Sequence, residues 1–121
     1  MNRPATKERL VDFKVEKSGD VAVVLLPGET LEASNVDAFR GNMAPVLEGN
    51  AKVVFDMSQV HFIDSMACGL LVSLFKQLQQ KGGGLKICCI TPPVENLFAL
   101  MGFDKLFGRF KTREEAIGAL K

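Results

Sequence analysis

The chain has 121 residues, enough for one domain that buries about two-thirds of its unfolded surface and too few for a second. Apolar residues make up 47% of the chain and charged residues 24%, as in an ordinary soluble globular protein. The net charge of +1 is well mixed along the sequence, so it provides no general attraction to nucleic acid or to an anionic membrane.

The start of the chain and its cysteines predict a cytoplasmic protein. Residues 1–9 are charged and lack the apolar core of a signal peptide, so we expect a flexible lead-in to a domain at residues 10–121. No apolar run approaches the ~18 residues of a membrane span. The three cysteines are odd in number and two are adjacent, which argues against a disulfide framework and favours a reducing compartment.

The first half of the chain alternates between strand and helix patterns. Residues 11–15 alternate apolar and charged side chains, which predicts an edge strand, and the apolar run 21–26 predicts a central strand paired with it as a hairpin. A helix capped by Ser34 is expected next. The nearly all-apolar run 52–57 predicts a strand that is covered on both faces.

The stretch from residue 53 to residue 75 reads as a strand, a polar turn, a short apolar step and an amphipathic helix. The apolar residues at helical spacing are Met66, Ala67, Leu70, Leu71, Leu74, Phe75 and Leu78. Asp64 and Ser65 stand at the helix entry. Ser65 is either a helix cap, or a surface hydroxyl at the positive end of the helix dipole that is open to modification.

The second half continues the alternation. The glycine run 82–84 predicts a helix end, and residues 85–90 predict a buried strand. A helix is expected from Pro92 to Gly102, then a short edge strand at 106–110, then a last helix opened by a Thr112-x-x-Glu115 capping box. The alternation predicts an α/β fold with a mixed sheet.

The residue types offer little for catalysis or metal binding. The single histidine, His61, is expected to be a partly buried turn residue on an extended step, out of reach of Ser65 as a general base. Cys88 and Cys89 would point to opposite faces of a strand and could not chelate an ion together. Asp56 is expected to be a strand-end or turn residue. We predict a protein that is not an enzyme, with no metal and no cofactor.

One side of the central helix is unusual for a solvated surface. At 100° per residue, the residues that fall together opposite the apolar face are Ser65, Cys68, Gly69, Val72 and Lys76. Exposed helix faces usually carry Glu, Lys and Gln, and a mid-helix glycine costs about 1 kcal/mol relative to alanine. Either another part of the chain covers this patch, or a partner protein docks on it with Ser65 at the rim. A phosphate on Ser65 would repel such a partner, because it adds roughly −1.5 to −2 charges beside Asp64.

The sequence resembles the STAS domain, specifically that of the bacterial anti-sigma factor antagonists; the resemblance covers residues 11–120 and rests on three parts of the sequence. The resembling segments are residues 55–58 with 62–69, residues 82–87 with 93–98 and 102–103, and residues 28–32. The resemblance implies a STAS fold, with a mixed β-sheet, an N-terminal antiparallel hairpin and about four α-helices packed against the sheet.

The resemblance also implies a function. Such a domain, when unphosphorylated, captures an anti-sigma factor with serine kinase activity and so releases a sigma factor, and a PP2C-type phosphatase resets it. By position the phosphoacceptor is Ser65, and Asp64 is its acidic neighbour. We expect Asp64, Glu32, Cys68, Gly69 and Val72 at the partner-binding surface. The chain departs from the family pattern in the helix start, with Ala67 where glycine is usual and Cys68 where leucine is common. It also departs in the opening motif at 28–32, which is one residue longer and has Glu32 in place of aspartate.

A second interpretation is a STAS scaffold that carries no phosphate, such as an accessory subunit of an ABC-type lipid transport system. It would use the same helix face. Neither interpretation implies direct contact with nucleic acid or a membrane span.

Overall fold

The computed structural model describes residues 14–121, which form a mixed α/β fold. The strands are β1 (Lys14–Ser18), β2 (Val21–Leu25), β3 (Thr30–Leu31), β4 (Lys52–Asp56), β5 (Phe62–Ile63) and β6 (Gly84–Cys88). The helices are α1 (Val36–Gly49), α2 (Ser65–Gln80), α3 (Pro92–Met101), α4 (Phe103–Phe107) and α5 (Arg113–Leu120). The expected lead-in at 1–9 and the first residues of the predicted edge strand lie outside the described residues.

The main sheet has the strand order β1-β2-β4-β6. β1 and β2 form the expected antiparallel hairpin, whereas β2, β4 and β6 run parallel to their neighbours, so the predicted mixed sheet is confirmed. β3 and β5 form a separate parallel pair, in which Thr30 lies opposite Phe62 and Leu31 opposite Ile63. This small pair connects the segment that follows β2 to the segment that leads into α2.

The central strands of the main sheet are buried on both faces, which explains their continuous apolar runs, whereas the edge strand β1 is largely exposed. Ala22 and Val24 belong to the larger core, with apolar side chains of α1, α2, α3 and α4. Val21 and Val23 point the other way and pack with Ala116 of α5. Helices therefore cover the sheet on both sides, with α5 alone on the second face among the described elements.

The end of α2 follows the glycine signal in the sequence. Gly82 has φ 82°, and its N–H donates to the Gln79 carbonyl, while the Gly83 N–H donates to the Leu78 carbonyl. These two bonds form a Schellman motif. A Cβ on Gly83 would lie 1.7 Å from the Ala51 carbonyl oxygen, so only glycine permits this approach of the turn to the start of β4.

For the last helix the predicted cap at Thr112 is confirmed, although the Glu115 carboxylate accepts the N–H of Lys111 and not that of Thr112. The capping prediction for the first helix is wrong. Thr112 caps α5 by accepting the Glu115 N–H at 3.1 Å. The residue before α1 is Asn35, not Ser34. The Asn35 side chain makes no capping hydrogen bond to the helix. It stabilises the preceding loop instead, because it accepts the Glu32 N–H and donates to the Thr30 carbonyl, both at 2.9 Å.

The predicted edge strand at 106–110 is also wrong. Phe103 and Phe107 lie one turn apart on α4, and their buried rings make an edge-to-face contact with centroids 5.4 Å apart. Burial of both rings on one helix face outweighs the weak strand pattern. Of the predicted strand only Phe110 pairs, through an isolated parallel bridge to Cys88. The described chain thus has five helices where about four were expected.

Candidate functional site

Asp64 organises the start of α2. It is the residue before the helix, and its Oδ1 accepts the Ala67 N–H at 3.0 Å. Its Oδ2 accepts the Ala33 N–H at 2.9 Å, from the loop that follows β3. These backbone hydrogen bonds favour the ionised carboxylate and hold the pKa of Asp64 below its ordinary value. One carboxylate therefore caps the helix and fixes the neighbouring loop.

Ser65 is the first residue of α2, and its side chain is exposed. The cap interpretation of Ser65 is wrong, because Asp64 supplies the oxygen that accepts the orphan N–H. The Ser65 hydroxyl is thus not required for capping. It stands at the N-terminal, positive end of a 16-residue helix, within reach of solvent.

Cys68 does not belong to this surface, which corrects the sequence prediction. Its side chain is 2% exposed and lies in the larger core, where burial raises the pKa of the thiol and the charge of Asp64 raises it further. The reason is the width of the buried sector of α2, which extends over about 160° from Leu70 through Leu74 to Cys68. The helical projection placed Cys68 outside a narrower sector.

Gly69 and Val72 differ in their exposure to solvent. Gly69 is exposed, and a Cβ built on it meets nothing within 4 Å, so no part of residues 14–121 covers it. Of the two alternatives for this patch, coverage by the chain itself applies to Cys68, whereas residues 14–121 leave Gly69 uncovered. Val72 is half-buried against the edge of the core. Glu32 is also half-buried, and it adjoins Ala33, which Asp64 binds.

Two exposed apolar side chains beside Ser65 were not recognised from the sequence. Phe62 is 51% exposed and Met66 is 56% exposed, although Met66 fits the apolar helical spacing. In β5 the alternation places Phe62 outward and Ile63 in the core. We call Phe62, Ser65, Met66 and Gly69 the acceptor face. The period of two in β5 was the signal that could have assigned Phe62 to it.

The structure also corrects two expectations about chelating and catalytic groups. Cys88 and Cys89 do not point to opposite faces, since their Sγ atoms lie 2.9 Å apart. The strand ends at Cys88, and Cys89 adopts a left-handed backbone with φ 65°. Burial is the main cause that raises the pKa of both thiols. His61 is exposed rather than partly buried.

Asp56 ends β4, as expected, and its Oδ1 accepts the Ser58 N–H at 2.9 Å. The sequence did not reveal its ion pair with Arg113, whose Nε lies 2.6 Å from Asp56 Oδ2.

Within residues 14–121, no helix is both long enough and apolar enough to pass through a membrane.

Comparisons with known proteins agree with this architecture. The family model of the STAS domain matches residues 12–116. The chain is 26% identical over 113 residues to an anti-sigma F factor antagonist of Paenibacillus polymyxa, covering 92% of this chain and 96% of that protein.

Two solved structures share the fold. An anti-sigma factor antagonist from Mycobacterium paratuberculosis superposes with a TM-score of 0.78 at 22% identity, covering 91% of this chain and 93% of that one. The Bacillus cell fate determinant SpoIIAA in its phosphorylated form gives a TM-score of 0.65 at 20% identity, covering 88% and 97%. Because the family model spans nearly the whole chain, the protein belongs to the STAS domain family, and within it is similar to anti-sigma factor antagonists.

Proposed function

We propose that this protein is an anti-sigma factor antagonist whose binding is switched by phosphorylation of Ser65. The unphosphorylated form binds an anti-sigma factor with serine kinase activity and so frees a sigma factor, and a PP2C-type phosphatase restores it. The observation that carries the proposal is the exposed Ser65 at the first position of α2, beside the exposed apolar side chains of Phe62 and Met66.

The acceptor face suits a partner that docks while Ser65 is neutral. Phe62 and Met66 supply apolar contact area, which is the main source of affinity at a protein interface. Gly69 has no side chain, so a partner can approach the helix backbone there. Asp64 holds the start of α2 and the loop beside Glu32 in one arrangement, which reduces the ordering cost of binding.

A phosphate on Ser65 reverses this preference for electrostatic reasons. It brings roughly −1.5 to −2 charges next to the ionised Asp64 and among the apolar side chains of Phe62 and Met66. A docked partner would have to desolvate that charge. The free domain tolerates it, because the first turn of a helix stabilises anions. Phosphorylation therefore disfavours the complex more than the fold.

The test is phosphosite mapping. The full chain is incubated with an anti-sigma factor kinase of its own organism and ATP, and the products are examined by mass spectrometry. We expect one phosphate on Ser65 and none on the Ser65→Ala variant. Ser73→Ala is the matched control, since Ser73 is also exposed on α2, and it should be labelled like the wild type. Labelling of Ser65→Ala at the wild-type level would contradict the proposal.

A further variant separates the switch from a phosphate-free scaffold. Ser65→Asp places a negative charge on the acceptor face without any kinase. Under the proposal it weakens binding of the anti-sigma factor, whereas Ser65→Ala retains it. Equal binding by the two variants would indicate a scaffold that does not use Ser65 as a switch.

A further inference from the structure

Asp56, Cys88 and Cys89 form a compact cluster at the carboxyl ends of β4 and β6. The sheet register places Asp56 opposite Cys88, and the Cys88 and Cys89 Sγ atoms lie 2.9 Å apart. One carboxylate oxygen and the two sulfur atoms all lie within 4.8 Å of one another. Asp56 and Cys88 are buried and Cys89 is half-buried. None of these residues belongs to the acceptor face.

The backbone at Cys89 is what brings the two sulfur atoms together. Cys89 is the one non-glycine residue with positive φ in the described part of the chain. Such a conformation is sterically disfavoured for a residue with a Cβ and needs support from its surroundings. Here the Cys89 N–H donates to the Phe110 carbonyl at 3.0 Å, and the Cys88 carbonyl accepts the Met57 N–H at 3.1 Å. The surrounding strands thus hold both thiols toward Asp56.

We propose that this cluster binds a thiophilic divalent cation, Zn²⁺, through Cys88 Sγ, Cys89 Sγ and one oxygen of Asp56. Two thiolates and a carboxylate are ligands that Zn²⁺ accepts, and three protein ligands leave the fourth tetrahedral position open. Tetrahedral Zn–S bonds of about 2.3 Å set the sulfur atoms about 3.8 Å apart. The present 2.9 Å separation must therefore widen by about 0.9 Å on binding, and we assign this change to the half-buried Cys89 side chain.

Binding leaves the charge of this buried site unchanged. Zn²⁺ replaces the protons of two thiols, which leave to solvent as two H⁺ while two Zn–S bonds form. No electron is transferred. Asp56 keeps its ion pair with Arg113 and its hydrogen bond from the Ser58 N–H, because a carboxylate has further lone pairs for a metal. Arg113 then acts as the hydrogen-bonded partner that orients the ligating carboxylate.

An entry route for the ion exists on the Cys89 side. Cys89 lies in the wall of a cavity of about 460 Å³, between α3 and the segment that follows α4. The wall also contains Glu95 and Arg109, which form an ion pair of 2.7 Å. We assign this cavity as the route by which the ion reaches Cys89.

The test is metal titration of the reduced, chelator-treated full chain with Co²⁺ as a spectroscopic substitute for Zn²⁺. We expect one equivalent to bind with a thiolate-to-cobalt charge-transfer band, which Zn²⁺ then abolishes by displacement. Zn²⁺ should also raise the thermal midpoint of the chain, because an ion that binds the folded state stabilises it. This readout needs no anti-sigma factor, so it is independent of the function proposed above.

Variants distinguish the cluster from other thiols. Cys89→Ala should reduce the charge-transfer band and weaken Co²⁺ binding by about a hundredfold or more. Asp56→Asn should weaken binding while the band persists. Cys68→Ala is the matched control, since Cys68 is a buried cysteine outside the cluster, and it should bind like the wild type. The proposal is wrong if the reduced wild type binds no Co²⁺ or if Cys89→Ala binds it as tightly as wild type.

Discussion

Asp64 is the residue on which the geometry of the acceptor face depends most. Its two carboxylate oxygens accept N–H groups from residues on different segments, Ala67 in the first turn of α2 and Ala33 after β3. An acceptor-only side chain with two oxygens suits this task, whereas an asparagine offers a single oxygen. The negative charge also lies at the positive end of the helix dipole. The carboxylate thus fixes the start of α2, where Ser65 lies.

The lowered pKa of Asp64 predicts that the difference in stability between the wild type and an Asp64→Asn variant depends on pH. Because the pKa is lower in the folded state than its ordinary value of 3.8, the carboxylate stabilises the fold above that value. The contribution is lost as pH falls through the lower, folded-state pKa. We expect Asp64→Asn to have a lower thermal midpoint than wild type at neutral pH, by an amount that shrinks below about pH 4. Thermal unfolding of both proteins across pH 2–7 measures this, and a difference independent of pH would contradict the assignment.

The sequence correctly placed Asp64 and Ser65 at the start of α2, but it did not predict the exposure of two neighbouring side chains. Asp64 and Ser65 were recognisable because a polar pair directly precedes an apolar helical period. Cys68 and Met66 were assigned to the wrong environments, since a projection contains no information on how wide the buried sector of a helix is. In the structure Cys68 is 2% and Met66 56% exposed. Tertiary packing on two sides of α2 determines the exposure of both side chains.

At the scale of elements, α2 exposes an otherwise unexplained glycine. Gly69 lies inside the helix, is exposed and has open space around the position of a Cβ. The described residues 14–121 therefore give no steric reason for glycine at this position. Contact of a partner with the helix backbone would provide one.

Gly69→Ala should consequently separate stability from binding. Alanine raises helix propensity, so the free energy of unfolding should increase by about 0.5–1 kcal/mol, while affinity for the anti-sigma factor should fall. Gly41→Ala is the matched control, because Gly41 lies inside α1 with equally open surroundings. It should stabilise to a similar extent and leave affinity unchanged. Denaturant unfolding and calorimetric binding measure the two effects, and unchanged affinity of Gly69→Ala would remove Gly69 from the docking surface.

Helices and strands could be predicted where the apolar residues recur with one clear period, and were predicted less well elsewhere. The buried strands and amphipathic helices of the main fold follow from their apolar spacing. α4 was missed because five residues carry too little periodicity, and its stability comes from the rings of Phe98, Phe103 and Phe107 in mutual contact. The left-handed Cys89 was missed because no local signal marks a non-glycine residue for that conformation.

At the scale of the whole molecule, the features that the sequence could not predict are contacts between residues far apart in the chain. The Asp56–Arg113 bond joins residues 57 positions apart and ties β4 to the first residue of α5. The Asp64–Ala33 bond spans 31 positions and joins the loop after β3 to the start of α2. Such pairs carry no periodic signal. The α/β class, in contrast, follows from the order of elements and was predictable.

The folded domain should accept the phosphate with little change in stability. Ser65 is exposed at the first turn of a helix that packs on the sheet through its opposite side. The favourable helix dipole offsets repulsion from Asp64, so we expect the free energy of unfolding to change by no more than about 1 kcal/mol. Denaturant unfolding of the two forms tests this. Global unfolding of the phosphorylated chain would show that phosphate acts on the fold instead of on the interface.

The central claim is that the charge on Ser65 decides whether the acceptor face can be covered by a partner. The most direct measurement is calorimetric titration of the anti-sigma factor with the unphosphorylated chain and with chain phosphorylated stoichiometrically on Ser65. We predict affinity at least about tenfold lower for the phosphorylated form, a difference of about 1.4 kcal/mol or more. Ser65→Ala treated with the same kinase should keep the affinity of the unphosphorylated form. Equal affinity of the phosphorylated and unphosphorylated chains would contradict the account.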